Sequence, residues 1–347
     1  MHLERQLTHT GGDINFDVRV IHGYRRFCNK IYQATKYVLS KIPKDFKPLQ
    51  AASKSGKESL TELWVLHKFN VAAAEINRAL EARDFSEATQ VAYQYFYNNL
   101  CDVYIENSKS IIQDGSAAES ESAQQTLYTA LEGGLTLLHP FMPFLTEELW
   151  QRLPRRPCDE CPSIVKARYP QYKAEFENSV SEEAYELILA LSKAIRSLAA
   201  SYDIKEGAQV FIKPHNELVL ATSREQLPSI KSLGGKATYG DSSSITILSL
   251  QDDEPSGCIP QAVGTSAAVF LVVKGRVDID REIEKAKQRR DKVNEQIDKQ
   301  QRIMNGDGWA KMKEEAQKAE KRKLEDAESE AALLEGSIEQ FERLKLH

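Results

Sequence analysis

The sequence lacks any uninterrupted run of about 18 apolar residues, the length that a membrane-spanning helix needs, so no such helix is expected. Residues 1–12 also lack the apolar core that export signals carry. The five cysteines are scattered, and their odd number favours free thiols in a reducing compartment over a disulfide framework. These absences predict a cytoplasmic protein without a membrane partner.

A net positive charge is missing as well. Lysine and arginine number 46 against 51 aspartate and glutamate residues, which gives a formal net charge of −5. Many nucleic-acid-binding proteins are basic overall, so any RNA contact here must come from a local basic face. The hydrophobic content of 41% can fill real cores, which argues against wholesale disorder. A length of 347 residues predicts two or three domains.

Signatures of catalysis are also missing. Gly234-Gly235-Lys236 lacks the upstream glycine and the following hydroxyl residue of a phosphate-binding loop. The sequence contains no glycine-rich dinucleotide motif and no Gly-x-Ser-x-Gly motif. Cys158 and Cys161 have the spacing of half a zinc site, but no second pair completes it. We therefore expect no catalytic residue, no metal ligand and no cofactor in this chain.

Residues 13–153 carry the periodicity of consecutive long helices. In the first helix Tyr24, Phe27, Ile31, Ala34 and Val38 recur at spacings of three and four, which builds one apolar stripe. Further helices are predicted at about 58–83, at 86–107 and at 146–153, and another helix ends at the break at Pro140. The polar tract 114–122 is predicted to be a loop or a capped helix start. Several amphipathic helices with short connections predict a bundle.

The pattern changes after Pro162. A helix is predicted at 182–201, strands at 209–213, 217–221, 244–250 and 267–273, and a helix at 223–233. From 278 onward an apolar seam with coiled-coil spacing is interrupted by the turn signal Asn305-Gly306-Asp307-Gly308, so two helices should fold back on each other. The expected fold class is mainly α: a helical bundle over 1–162, a small α+β domain over 175–274 and an antiparallel coiled-coil hairpin over 278–347.

The most informative feature is the polar side of the first helix. Opposite the apolar stripe lie cationic and amide side chains with no acidic residue among them, namely Arg19, His22, Arg25, Arg26, Asn29, Lys30, Gln33 and Lys36. Such a row can hydrogen-bond phosphates and base edges together. A solvated helix face is the alternative, but ordinary solvated faces mix charges of both signs. The pattern alone leaves both interpretations open.

The terminal hairpin carries a second basic cluster, which includes Lys285, Arg289 and Arg290. Acidic residues along both helices dilute this cluster, so a solvated face is again the alternative. The length of the hairpin is the stronger argument for an RNA contact. A helix of about 25 residues extends roughly 40 Å at 1.5 Å per residue, enough to lie along an RNA stem.

Four runs of sequence give the chain a resemblance to a known family. The run from Leu138 to Trp150, LHPFMPFLTEELW, resembles the anticodon-binding domain of class I aminoacyl-tRNA synthetases for valine, isoleucine and leucine. The runs 10–17 and 23–35, together with 269–280 leading into the hairpin, resemble the valine enzymes in particular, and most of all their eukaryotic cytosolic form. The resemblance extends over essentially all 347 residues.

The resemblance implies a role that differs from that of a complete enzyme. The family attaches valine to tRNA(Val) with ATP and magnesium in a catalytic core whose motifs are absent here, so the chain should be inactive alone. By the family pattern Arg19, Arg25, Arg26, Asn29 and Lys30 would meet the anticodon stem and loop. Lys285, Arg289 and Arg290 would lie against the tRNA body. We therefore expect a tRNA(Val)-binding C-terminal part of such an enzyme.

Two other functions are compatible with the pattern. One is a non-catalytic interaction module whose coiled coil docks other proteins, including translation proteins, while the bundle serves as a scaffold. The other is a complete enzyme, which the missing catalytic motifs argue against. Retention of protein partners after nuclease treatment distinguishes the first from an RNA binder, and valine-dependent exchange of pyrophosphate into ATP detects the second.

Overall fold

The structure is a computed structural model that describes 18–54, 56–157, 159–239, 243–273 and 279–305, together with 317, 320, 321, 324, 327, 328, 331, 335, 336, 338, 339, 341 and 342. For 18–21 and 282 it describes the backbone alone. The chain divides into two compact units, 1–190 with 226–233 and 191–225 with 234–347. Most of the described residues are helical, as expected for a mainly α protein.

The α-helices, in chain order, are α1 Val18–Lys41, α2 Leu60–Glu81, α3 Phe85–Tyr93, α4 Glu106–Asp114, α5 Ala117–Leu138, α6 Pro143–Trp150, α7 Ser179–Ser201, α8 Glu217–Glu225, α9 Leu227–Leu233 and α10 Ile279–Asn305. A π-helical segment, Gln94–Ile105, joins α3 to α4 without a break. Short 3₁₀ turns lie at Ile164–Lys166, Ala174–Phe176 and Lys236–Thr238. The strands are β1 Gln209–Pro214, β2 Ser244–Ile247, β3 Cys258–Val263 and β4 Ala267–Val272.

Helix α5 lies at the centre of the first unit and packs against α1, α2, α4, α6 and the π-helical segment. It begins with a capping box, in which the Glu119 backbone N–H donates to Ser116 Oγ at 3.3 Å and the Ser116 N–H donates to Glu119 Oε2 at 2.8 Å. These bonds satisfy amide groups that no helix carbonyl can reach. The polar tract 114–122 is therefore a capped helix start, one of the two interpretations that the sequence allowed.

Two tyrosines of the long α3–π–α4 helix are tied to α5 through their hydroxyl groups. The Tyr95 hydroxyl donates to the Ala130 carbonyl at 3.0 Å, and the Tyr104 hydroxyl donates to the Ala123 carbonyl at 3.2 Å. Both phenols are buried, and burial without a partner would be costly for them. The sequence predicted this helix to end near residue 107, whereas it continues through the π-helical segment to Asp114.

The sheet in the second unit has the strand order β2-β1-β4-β3. Strand β1 pairs in parallel with β2 and antiparallel with β4, with Phe211 opposite Phe270, and β3 pairs antiparallel with β4. The sequence missed β3, which contains Pro260. Proline cannot donate to a sheet, but β3 is an edge strand and needs only one partner.

The strand predicted at 217–221 is wrong, because this segment belongs to α8. The side chain of Asn216 accepts a hydrogen bond from the backbone N–H of Val219 at 2.9 Å, which is the contact of a helix N-cap. Val219, Leu220 and Ser223 then lie buried at helical spacing. The helix predicted at 223–233 is divided between the end of α8 and α9.

The carboxyl-terminal segment is described in part. Helix α10 ends at Asn305, and the rest of the predicted turn at 306–308 lies outside the described residues. The described residues between 317 and 342 have helical backbone. The antiparallel hairpin therefore stays a prediction. Among the described residues, no helix is both long and apolar enough to cross a membrane.

The close packing of Gly133 on α5 gives a prediction for stability. A Cβ atom at Gly133 would lie 2.5 Å from the ring of Phe69, which is far inside contact distance. Gly133→Ala should therefore lower the free energy of unfolding by about 1–3 kcal/mol through overpacking, measured by urea unfolding followed by circular dichroism. Gly23→Ala is the control, because a Cβ there meets nothing within 4 Å and should be neutral or stabilising. Equal losses in both variants would contradict this description of the core.

Candidate functional site

Helix α1 separates an apolar side from a polar side, as the sequence predicts. Ile31, Ala34 and Val38 are buried in the bundle, whereas the polar side is exposed at His22, Arg25, Arg26, Asn29, Gln33 and Lys36. The exposed positions recur at spacings of three and four, so they share one side of the helix. We call His22, Arg25, Arg26, Asn29, Gln33 and Lys36 the cationic face.

An aromatic cluster holds α1 in this orientation. The ring centroid of Phe27 lies 4.8 Å from that of Tyr93, 6.4 Å from Phe96 and 6.2 Å from Tyr97. These separations are typical of favourable aromatic pairs. Because Phe27 points into this cluster, the cationic face turns toward solvent.

Arg25 and Arg26 keep their charges available. Among the described residues, no carboxylate lies within ion-pair distance of either guanidinium group. With His22 and Asn29, both arginines line an open depression in the surface. Guanidinium groups bind phosphate in a bidentate manner, and the Asn29 amide can both donate and accept. The arrangement suits an extended anionic ligand with polar edges.

Lys30 differs from its neighbours in the predicted site. Its Nζ donates to Asp102 Oδ1 at 2.8 Å and lies 5.0 Å from the centre of the Tyr97 ring. Partial burial alone would lower the pKa of Lys30, but the hydrogen bond and the charge of Asp102 raise it. Lys30 therefore stays charged, and its charge is partly balanced by Asp102 on the π-helical segment.

The remaining residues predicted to contact RNA lie in α1 and in α10. Arg19 lies in α1, but its side chain is outside the described residues. Lys285 and Arg289 are exposed on α10, and Arg290 forms ion pairs with Asp291 at 2.8 Å and Glu335 at 3.2 Å. The α1 residues belong to the first compact unit and the α10 residues to the second. Whether any of them contacts a ligand stays a prediction.

Another arginine of the bundle has a structural role. Arg156 is largely buried, and its guanidinium lies 2.6 Å from Glu132 Oε2 and donates to the Leu49 carbonyl at 2.8 Å. It also lies 4.9 Å from the centre of the Tyr128 ring. A charge with this many partners is committed to the fold. Arg25 and Arg26 show none of these contacts, which sets the cationic face apart.

The sequence pattern did not indicate three features of the bundle: the partner of Lys30, the exposed Tyr32 and the exposed Phe144. Asp102 pairs with Lys30 from 72 positions away, a separation at which helical periodicity gives no signal. Tyr32 is 45% exposed and lies seven residues after Arg25, so the helical period itself could have identified it. Phe144 is 91% exposed, although the motif around it was interpreted as packing; Thr146, Leu149 and Trp150 in that motif are indeed buried.

The cysteines show no feature of a metal or redox centre in the described part of the chain. Among those residues, no group of three or more histidine, cysteine, aspartate or glutamate side chains could hold a metal ion. Cys158 is outside the described residues, and the Cys161 thiol donates to the Ser163 carbonyl at 3.2 Å. Burial raises the pKa of the Cys101 thiol to about 12, so it stays protonated near neutral pH.

Part of the chain resembles a known protein family. Residues 62–213 match the family described as the anticodon-binding domain of tRNA ligase. This segment is therefore similar to an anticodon-binding domain, and α1, with the cationic face, precedes the matched residues.

The individual relatives are valine–tRNA ligases. The chain is 43% identical over 339 residues to the mitochondrial valine–tRNA ligase of Saccharomyces cerevisiae, a match that covers 97% of this chain and 30% of that protein. It is 33% identical to human valine–tRNA ligase, over 96% of this chain and 26% of that protein. The match to the Thermotoga maritima enzyme is 30% identical and covers 36% of that protein. The chain is thus homologous, over nearly its full length, to about a third or less of valine–tRNA ligase.

The contrast between Arg156 and Arg26 gives a prediction. Arg156→Ala leaves Glu132 without its buried partner, so the free energy of unfolding should fall by about 3–5 kcal/mol. Arg26→Ala removes an exposed side chain with no partner among the described residues and should change stability by less than about 0.5 kcal/mol. Urea unfolding of both variants measures the difference. A large loss in Arg26→Ala would mean that Arg26 also supports the fold.

Proposed function

We propose that this chain is the C-terminal, tRNA(Val)-binding part of a valine–tRNA ligase, and that the cationic face of α1 contacts the anticodon stem and loop. The supporting observation is that Arg25, Arg26 and Asn29 are exposed together while no described carboxylate pairs with either arginine. The homology to valine–tRNA ligases over 97% of the chain supports the choice of tRNA. Attachment of valine, with its ATP and magnesium, belongs in this proposal to the rest of the parent enzyme.

The charge distribution favours RNA over a protein partner at this surface. The whole chain has a formal net charge of −5, so its long-range field does not attract RNA. A cluster of guanidinium groups without carboxylate partners creates a local positive potential that can release counterions from an RNA backbone. Phosphate contacts position the RNA, and the amide of Asn29 can reach a base edge. Lys30 contributes less, because Asp102 already balances its charge.

Reversal of charge at Arg26 tests this proposal. Arg26→Glu should weaken binding to tRNA(Val) by about 1–3 kcal/mol and reduce the salt dependence of binding, because one phosphate contact is lost. Arg168→Glu is the matched control, since Arg168 is exposed in the same unit outside α1. Filter binding or fluorescence anisotropy at several salt concentrations measures both the affinity for tRNA(Val) and its salt dependence. An unchanged affinity for Arg26→Glu would count against the cationic face as the RNA contact.

We propose a second RNA contact through an antiparallel hairpin formed by α10 and the helical segment that follows it. Two ion pairs support the antiparallel direction: Lys287 Nζ lies 3.2 Å from Glu342 Oε1, and an Arg290 nitrogen lies 3.2 Å from Glu335 Oε2. As the residue number falls from 290 to 287 on one helix, it rises from 335 to 342 on the other. In this proposal Lys285, Arg289 and Arg290 face the tRNA body, with other translation proteins as further possible partners of the hairpin.

Distances between pairs of spin labels test the antiparallel arrangement directly. With labels at Gln288 and Glu339, two positions on the opposed helices, electron paramagnetic resonance should report one short distance, as expected for neighbouring helices about 8–10 Å apart at their axes. Labels at Gln301 and Glu339 serve as the control and should be much farther apart, because Gln301 lies about 20 Å further along α10 at 1.5 Å per residue. Similar distances for both pairs would contradict an antiparallel hairpin.

We further propose that the parent enzyme is the eukaryotic, cytosolic form. The scattered cysteines are typical of a reducing compartment, and four of them, at 28, 101, 161 and 258, are free thiols. One relative, from Saccharomyces cerevisiae, carries a mitochondrial name. Cell fractionation followed by detection of the parent protein distinguishes the cytosol from mitochondria.

A further inference from the structure

Tyr32 stands apart from the other tyrosines around it. Tyr95 and Tyr104 donate hydrogen bonds to carbonyl groups, and the rings of Tyr93 and Tyr97 stack with centroids 5.2 Å apart and planes 13° apart. Tyr32 is 45% exposed and has neither a hydrogen bond nor a ring contact with any residue that the structure describes. Its aromatic surface is therefore open to an external partner.

The position of Tyr32 on α1 joins it to the cationic face. At about 100° per residue, Tyr32 lies about 20° around the helix from Arg25, about 40° from Lys36 and about 60° from Asn29. One side of α1 thus presents a guanidinium, an amide, an aromatic ring and an ammonium group in succession. Aromatic rings interleaved with cationic side chains are the arrangement with which proteins bind unpaired nucleotides.

Arg152 is a further cation that interacts electrostatically with Tyr32. Arg152, just beyond α6, forms an ion pair with Glu148, and the hydrogen bond and charge of Glu148 raise the pKa of Arg152. Because Glu148 already pairs with Arg152, the cations available to a base on Tyr32 are those of α1.

We propose that Tyr32 stacks on an unpaired base of the RNA loop that Arg25, Arg26 and Asn29 hold, an inference that rests on the proposed function. Proteins read RNA mainly in single-stranded loops, whose bases can leave the stack and lie on aromatic side chains. Arg25 and Tyr32 are separated by about 10 Å along the helix at 1.5 Å per residue, so a phosphate at one and a base at the other fit within a single loop. A fully paired helix offers no such base.

The test uses the full chain and an RNA hairpin with the sequence of the tRNA(Val) anticodon arm, in which 2-aminopurine replaces one loop base at a time. Stacking on the tyrosine should quench the fluorescence of one of these probes. Tyr32→Leu should abolish that quenching and weaken binding by about 5- to 100-fold, whereas Tyr32→Phe keeps the ring and should retain both. Thermal unfolding by circular dichroism verifies that each variant folds.

Tyr24→Leu is the matched control for this experiment. Tyr24 is on the same helix and 37% exposed, but about 140° around the helix from Asn29, so its loss should leave both quenching and affinity unchanged. An RNA duplex without a loop should bind wild type and Tyr32→Leu equally. If Tyr32→Leu retains wild-type quenching and affinity, or Tyr32→Phe loses them, stacking by Tyr32 is excluded while the proposed function stands. If wild type binds neither tRNA(Val) nor the hairpin, the proposed function itself is excluded, and this inference with it.

Discussion

The packing of Phe27 against Tyr93, Phe96 and Tyr97 determines which side of α1 faces water. Each large apolar side chain that α1 buries contributes about 1.5–3 kcal/mol relative to exposure. Rotation of the helix would expose Ile31 and Val38 and would bury guanidinium groups without partners, which is costly in a low dielectric. The orientation of the cationic face is therefore a consequence of the core. The surface that the proposal assigns to RNA is as well defined as the packing beneath it.

The same packing sets the limits of that surface. On one flank, the π-helical segment brings Asp102 against Lys30, so positive charge there is balanced within the fold. Arg152, just beyond α6, is likewise paired, with Glu148 of that helix. Arg25 and Arg26 keep a local positive potential on a chain whose overall charge is negative. In the proposal, the local distribution of charge, rather than the total charge of the chain, permits an anionic ligand to bind to this face.

Helical periodicity made the sequence informative about the bundle and about the face of α1. The spacing of apolar residues from Phe27 to Val38 predicts both the helix and its buried side, because one period governs both. Tyr24, which the pattern also assigned to the apolar stripe, is 37% exposed near the start of the helix. The same rule fails where partners lie far apart in sequence, so Asp102 could not be found from the pattern. Tyr32 is a different case: its position on the polar side follows from the helical period, but a single aromatic residue there does not add to a pattern of charge.

The small α+β domain was harder to predict, because short apolar runs fit a strand or a helix equally well. Residues 217–221 form a short apolar run that fits a strand, yet the side chain of Asn216 caps a helix there and decides the outcome. Strand β3 was missed because Pro260 argues against a strand unless the strand is known to lie at an edge, and edge position is a property of the assembled sheet. Tertiary context, absent from a local pattern, accounts for both errors.

The central claim is that the cationic face of α1 lies against the anticodon loop, and photo-cross-linking measures that contact most directly. A photoreactive residue at Gln33, which is exposed on this face, should cross-link to loop nucleotides of tRNA(Val), and the same probe at Tyr24 should give little product. Cross-links from Gln33 that map away from the anticodon arm, or equal yields from both positions, would contradict the account.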